Sequence, residues 1–363
     1  MTLDLTKQLH EILTAGGHPN VQLRLQPPQP GYKGIVAIPN NDSTEVVCFL
    51  DAFREIFIEC HKILADCLEN RTGTVPPDAF MATIGLLFTS YENRSALNMH
   101  ERLFLERMDS SEAAKSLDQE IKYVEALLTS NIGKLNKSSS LWIWYRKLVV
   151  LQREMFTTAH QRVIEVCRQS AELHFANYYC WNTLRWYYDV LEWSNEDVTP
   201  LREMVRAFAF SHLRDVSAWD ALSYLHSDGG AYTSSEYTRL AQCLGLEVQL
   251  KPPLATAAQA RCQKAAELAR ELIKFIDTCD VCEWNAYRCL YLLLQYSHCN
   301  TAELLAQWQQ ELDSFESKVM LVRGCPILPQ LAPGNDLLED IRQKQMMNKK
   351  RLLHMVHEAQ AGE

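Results

Sequence analysis

The run Cys279-Asp280-Val281-Cys282, with Cys289, His298 and Cys299 downstream, is the one constellation in this chain of 363 residues with metal-like spacing. A structural zinc needs four ligands converging tetrahedrally, and Cys-x-x-Cys units are a common source of them. However, Cys282 lies two residues before Trp284 and Cys289 lies on the same helical pattern, at spacings which a repeat, described below, already explains. Thiols packed between helices are therefore expected, and no metal or other cofactor in this chain. A Gly-rich phosphate loop, a His-Glu-x-x-His helix and a Gly-x-Ser-x-Gly elbow are all absent from the sequence. His100, His212 and His226 fall inside or at the ends of helical patterns, where a histidine more often packs or caps than catalyses. The chain is not expected to carry a self-contained active site.

The elements that position these residues are marked by a repeat. Trp142-Ile143-Trp144-Tyr145-Arg146-Lys147-Leu148, Trp181-Asn182-Thr183-Leu184-Arg185-Trp186-Tyr187 and Trp284-Asn285-Ala286-Tyr287-Arg288-Cys289-Leu290 align on their first tryptophan, each with arginine four positions on. A fourth copy starts at Trp219, with Ser223 at the arginine position, and a weaker fifth at Leu97. Four residues before the anchors stand Asn93, Ser138, Asn177, Asp215 and Asp280, all of types that cap helix N-termini. Each anchor is thus predicted one turn into a helix, its ring packing on the helix before. Between anchors, Glu112–Leu128, Thr158–Leu173, Leu201–Leu213, Ser234–Leu246 and Leu254–Asp277 also show helical periodicity. Stacked helical hairpins follow, on a period longer than the ~34 residues of a tetratricopeptide.

Two further helices are predicted over Val46–Leu68 and Pro77–Tyr91, the first with a face of Phe49, Phe53, Phe57, Cys60 and Leu64, and a last one over Asp336–His357. The basic middle of that last helix, Lys349, Lys350 and Arg351, reads as a solvated face on a capping helix. Sheet-type alternation is confined to Val21–Val47, where a loop or short surface ribbon is expected up to Asn41. Breaks at Gly324-Cys325-Pro326 and Pro329–Gly334 precede the last helix. The expected fold is all-α, a right-handed α–α superhelix. Its parts are an N-terminal helix and extended segment (1–45), the repeats (46–320), and a linker with capping helix (321–363).

Composition narrows the function. Lys and Arg number 36 against 45 Asp and Glu, a net charge of −9 that offers no footprint for a nucleic-acid backbone. Met1–Gly16 reads as an amphipathic helix rather than a signal peptide, and no apolar run reaches the ~20 residues of a membrane span. Twelve scattered cysteines without an export signal are expected to stay reduced. The C-terminal residues form no prenylation box and Thr2 replaces the glycine of a myristoylation signal, so a cytoplasmic protein, not itself lipidated, is expected.

The segment Asn177-Tyr178-Tyr179-Cys180-Trp181-Asn182-Thr183-Leu184-Arg185-Trp186 resembles the repeat of protein prenyltransferase α subunits, and the resemblance extends over about residues 46–298. It implies a non-catalytic subunit that embraces a prenyltransferase β subunit. That partner would hold the zinc and join a cysteine thiolate near the C-terminus of a protein such as a small GTPase to the first carbon of an isoprenoid diphosphate, geranylgeranyl being the chain type the resemblance implies. By the same resemblance Lys137 would approach the diphosphate, while Asn177, Tyr178 and Tyr179 would face the substrate cleft. Arg146, Arg185 and Arg288 keep the family's second arginine and are expected to pack structurally. The family's preceding histidine and first arginine are missing from every copy, which motivates an alternative: a helical-repeat adaptor without that enzyme partnership.

Overall fold

The computed structural model describes residues 3–15, 21–41, 43–69, 75–156, 162–193, 196–227, 234–248, 255–297, 301–323 and 337–361. Among them the chain is mostly helical, with sixteen helices and three strands. In order come α1 (Asp4–Thr14), β1 (Val21–Gln26), β2 (Ile35–Pro39), β3 (Thr44–Phe49), α2 (Leu50–Glu69), α3 (Ala79–Thr89), α4 (Arg94–Met108) and α5 (Ala113–Leu128). There follow α6 (Gly133–Asn136), α7 (Ser139–Phe156), α8 (Arg162–Leu173), α9 (Tyr178–Trp193), α10 (Thr199–Ser211) and α11 (Val216–Tyr224). The last five are α12 (Ser234–Cys243), α13 (Ala255–Thr278), α14 (Trp284–Ser297), α15 (Thr301–Arg323) and α16 (Leu337–Ala361).

Two compact units emerge, Met1–Tyr187 with Thr233–Leu250, and Tyr188–Tyr232 with Lys251–Glu363. Neither expected boundary, at 45/46 or 320/321, coincides with this division. In the first unit α1 packs on α2, α3 and α5, and β3 runs straight into α2; in the second α16 packs on α14 and α15. The expected breaks at 324–326 and 329–334 lie outside the described residues.

The mostly helical chain agrees with the all-α expectation, and the first unit adds to it a three-stranded sheet of order β1-β3-β2. Here β1 runs parallel to β3 (Val21 beside Thr44) and β2 antiparallel to it (Ile35 beside Cys48). The helix predicted from Val46 begins only at Leu50, because Val46–Phe49 form the central strand and are all buried. A short apolar run covered on both faces has no alternation, so it reads like the start of a buried helix. The predicted face of α2 is rotated too: Ala52, Ile56, Cys60 and Leu64 are buried, whereas Phe57 is 42 % exposed.

Against this face lies α3, apolar on nearly every side and buried along its length. Gly85 permits the approach: a Cβ there would meet Cys60 Sγ at 2.4 Å and Ile56 Cγ2 at 3.0 Å. Glycine inside a helix costs about 1 kcal/mol relative to alanine, and here it lets two helix backbones close.

Four of the five predicted caps form. Asn93, Ser138, Asn177 and Asp215 accept from the backbone N–H three residues on, at 3.2, 3.2, 3.4 and 3.0 Å. Asp280 is the exception. It sits at φ 48°, ending α13 rather than starting α14, and the next residue, Val281, donates its N–H to Ile276 O at 3.1 Å. That is a left-handed helix C-terminus, a conformation asparagine and aspartate tolerate better than most residues. Helix α14 therefore starts at Trp284 itself, and this anchor is only half-buried, as is Leu97. Trp142, Trp181 and Trp219 are buried as expected.

Candidate functional site

The candidate residues around Lys137 and Asn177 come together at the tip where α8 turns into α9, in the first unit. Helix α8 ends at Leu173, Ala176 takes a left-handed φ of 52°, and α9 starts at Tyr178. Beneath the turn lies a buried amide node. Asn177 Nδ2 donates to Asn136 O and Ser170 Oγ, both at 3.1 Å, and also to Asn136 Oδ1. Asn136 Nδ2 donates to Leu128 O at 2.6 Å, while the Trp142 indole donates to Asn136 O at 2.7 Å. The ends of α5, α6, α7, α8 and α9 are thereby tied at one point. Each polar atom buried there has a partner, which such burial requires.

The structure thus corrects one expectation at this tip. Asn177 is fully buried and faces inward, its side chain spent on the node and on capping α9. Tyr178 and Tyr179 do face solvent, 55 % and 39 % exposed, with rings edge to face at 5.5 Å. Lys137 is also exposed, in the loop at the start of α7, and its ammonium donates to Phe175 O at 3.0 Å. The sequence reading missed Phe175, which is 60 % exposed between the tyrosines and the end of α8. Its signal was available: an aromatic residue just beyond the last turn of a helix, outside any apolar stripe. The result is a shelf of Phe175, Tyr178 and Tyr179 on a pinned backbone.

Next to Lys137, the three serines that open α7 converge on one carboxylate. Ser138 Oγ and Ser140 Oγ donate to Glu92 at 2.7 and 2.8 Å, and Ser139 Oγ at 3.3 Å. Burial pushes the Glu92 carboxyl up, but these hydrogen bonds outweigh it and hold the group below the usual carboxylate range.

A second cluster has the outline of a catalytic triad. His100 Nε2 meets Glu120 Oε1 at 2.8 Å, and His100 Nδ1 meets Thr83 Oγ1 at 2.9 Å. The Thr83 hydroxyl donates to Phe80 O at 2.6 Å, which leaves its oxygen to accept from His100. Trp144 Nε1 donates to Glu120 Oε1 at 2.9 Å. All four side chains are buried, and Phe80, Phe104 and Trp144 ring the imidazole. A nucleophile needs a substrate within reach; Thr83 has neither space nor a free proton, so the cluster fixes α3, α4, α5 and α7 together.

The arginines of the repeat differ in burial: Arg146 is buried, Arg185 half-buried and Arg288 exposed. Arg146 is buried, donating from Nε to Thr183 Oγ1 at 3.1 Å and from Nη1 to Glu236 at 2.9 Å. Arg185 reaches Asn182 Oδ1 at 3.4 Å, and the exposed Arg288 pairs with Asp220. Cys289 is buried, Cys282 half-buried and Cys279 exposed, and among the described residues no three His, Cys, Asp or Glu side chains converge as a metal site. His298 and Cys299 lie outside the described residues. His212 caps the end of α10, and His226 is buried with Nδ1 at 3.0 Å from Leu222 O. The basic face predicted on α16 is corrected at Lys349, which is buried between Asp277 Oδ1 and Glu311 Oε2 at 2.8 and 2.7 Å. Its neighbours Lys350 and Arg351 stay exposed, Arg351 over the Trp284 ring at 3.9 Å.

Comparison with known proteins bears on what this architecture is. Residues 1–129 match the ECM9 N-terminal domain, residues 141–244 the ECM9 middle domain, and residues 265–363 the ECM9 C-terminal domain. Protein ECM9 of Saccharomyces cerevisiae is 29 % identical over 311 residues, covering 82 % of this chain and 81 % of that protein. The resemblance to prenyltransferase α subunits is overturned by these matches. Its Asn-Tyr-x-x-Trp segment is a cap followed by an anchor one turn into a helix, which a packed helical hairpin needs whatever its ancestry. The likeness, in three successive domain models and in a relative covering 82 % of the chain, is to ECM9 proteins and not to the prenyltransferase α subunits.

Proposed function

We propose that the chain is a helical-repeat adaptor, its hairpins stacked in an α–α superhelix, that presents the α8–α9 tip to another protein. The observation that supports this reading is the shelf of Phe175, Tyr178 and Tyr179: exposed aromatic rings on a backbone that the buried Asn136–Asn177 node holds in place. Aromatic residues on a preorganised turn give large contact area at little cost in entropy, which is why they dominate binding hot spots. The partnership with a prenyltransferase β subunit rested on the overturned resemblance and loses its motive with it.

The test is site-specific photocrosslinking from position 178, with position 55 on the exposed side of α2 as control. A single protein crosslinked from 178 and not from 55, which then binds the purified chain and loses at least tenfold in affinity with Phe175→Ser/Tyr178→Ser, supports the reading. Equal crosslinking from both positions, or unchanged affinity of the double variant, removes it.

A further inference from the structure

The sheet of the first unit has two edges, β1 and β2. At β1 the Leu23 carbonyl accepts from Asn131 N–H at 2.9 Å, so the loop after α5 pairs with that edge. The second half of β2 has no such cover: Ala37, Ile38 and Pro39 are exposed, Ile38 at 42 %. Edge strands of monomeric proteins are usually blunted by charged side chains, above all lysine. Ile35-Val36-Ala37-Ile38-Pro39 carries none.

Bonds to β3 fix which backbone groups of β2 point away from the sheet. Phe49 N–H donates to Gly34 O at 3.1 Å and Asn40 N–H to Ser43 O at 2.8 Å, both in the register that sets Ile35 beside Cys48. In an antiparallel pair such bonds fall on alternate residues. Gly34, Val36, Ile38 and Asn40 therefore turn their N–H and C=O toward β3, and Ile35, Ala37 and Pro39 turn theirs outward. One outward group is engaged, since Ile35 O accepts from Gln8 Nε2 at 3.3 Å. Another does not exist, because proline has no N–H. There remain the Ile35 N–H, the Ala37 N–H and C=O, and the Pro39 C=O, which have no partner among the described residues.

These groups complement themselves. Two copies of β2, antiparallel about a two-fold axis at Ala37, set Ala37 opposite Ala37 and Ile35 opposite Pro39. Each Ala37 N–H then meets the other Ala37 C=O, and each Ile35 N–H meets the other Pro39 C=O. The engaged Ile35 carbonyl faces the proline nitrogen that has nothing to donate, so no group is left over. Centring the axis on Val36 instead sets the Ala37 N–H against the engaged Ile35 O, and centring it on Ile38 sets the Ala37 C=O against the proline nitrogen. Val36 and Ile38 of opposite copies also become direct cross-strand neighbours, which covers the exposed Ile38 with a second β-branched side chain. A patch that meets itself is the ordinary contact of a two-fold dimer.

We infer that the chain associates with a second copy of itself by antiparallel pairing of β2 with β2, in the register centred on Ala37. Five residues a side make a small contact, of the transient class below about 1,200 Å². The dimer therefore forms and separates readily, with a dissociation constant on the order of 100 µM.

The test is sedimentation of the full chain over about 5–500 µM, where the average mass should rise from that of one chain toward twice that value. Ala37→Pro removes an N–H that bonds nothing within the chain, and Ile38→Lys puts a charge beside Val36 of the other copy. Each should weaken association at least tenfold. Ile38→Lys, at an exposed position, needs no repacking, and both variants are checked by circular dichroism. A chain that stays monomeric over the whole range, association unchanged in either folded variant, or association lost in Phe175→Ser/Tyr178→Ser instead, would each overturn the assignment.

Discussion

Glu120 is the residue whose removal should test the account of the first unit most severely. Its carboxylate is buried and accepts from His100 Nε2 at 2.8 Å and from Trp144 Nε1 at 2.9 Å. Replacing it with Leu keeps the volume roughly constant but strands two donors where no water reaches. Breaking a buried, hydrogen-bonded charge pair by removing one partner costs about 3–5 kcal/mol, and a stranded indole N–H adds to that without strict additivity. A loss of about 4 kcal/mol at pH 7 is expected in the free energy of unfolding, measured by urea titration.

The pH dependence supplies a second arm. Burial pushes the Glu120 carboxyl up, but attraction to His100 and hydrogen bonds from His100 and Trp144 outweigh it, so its pKa is lower in the folded state than in the unfolded one. A depressed carboxyl contributes stability that is complete above its unfolded pKa and is lost as pH falls through the folded value. The gap between the parent and Glu120→Leu should therefore be full above about pH 5 and narrow on acidification below it. A loss under about 1 kcal/mol at pH 7, or a gap that stays constant into acid, would refute the reasoning, because then the carboxylate is either not paired or not ionised.

Three further outcomes follow from the same structure. Trp181→Ala should cost about 3–5 kcal/mol in a denaturant titration, because the ring is fully buried, whereas Trp284→Ala, half-buried and covered by Arg351, should cost less than half as much. Lys349→Ala should destabilise the second unit by about 3–5 kcal/mol, since it leaves Asp277 and Glu311 facing each other, while Lys350→Ala, in an exposed pair with Glu316, should stay within about 0.5 kcal/mol; equal effects would place Lys349 at the surface. Burial pushes His226 down to about 4, so the unfolded chain takes up a proton there first as pH drops below about 6.5. Stability should consequently fall by about 2 kcal/mol between pH 7 and pH 5, and His226→Gln should remove that slope in urea titrations at the two pH values.

The helices were legible because their signals are local. An Asn, Ser or Asp cap acts on an N–H three residues away, and a 3.6-residue stripe repeats within one or two turns, so Asn93, Ser138, Asn177 and Asp215 marked their helices correctly. The same local character limits what those signals can say about ancestry, since cap and anchor describe any helical hairpin. Asp280 failed because one side chain type serves both a helix start and a left-handed helix end, and only the backbone path selects between them. Val46–Phe49 failed because pairing with β1 and β2 decides a strand, and those partners lie 23 residues back in β1 and 9 to 13 residues back in β2. Charge burial was the least legible of all. Glu120 meets a tryptophan 24 residues on and Lys349 an aspartate 72 residues back, so their low exposure arises only when separate helices close over them. The sequence alone determined where α4, α7, α9 and α11 start and that Trp142, Trp181 and Trp219 anchor their helices. Tertiary packing decided which charges are enclosed, that Asn177 turns inward while Phe175 stands in solvent, and that β2 is left at the edge of the sheet.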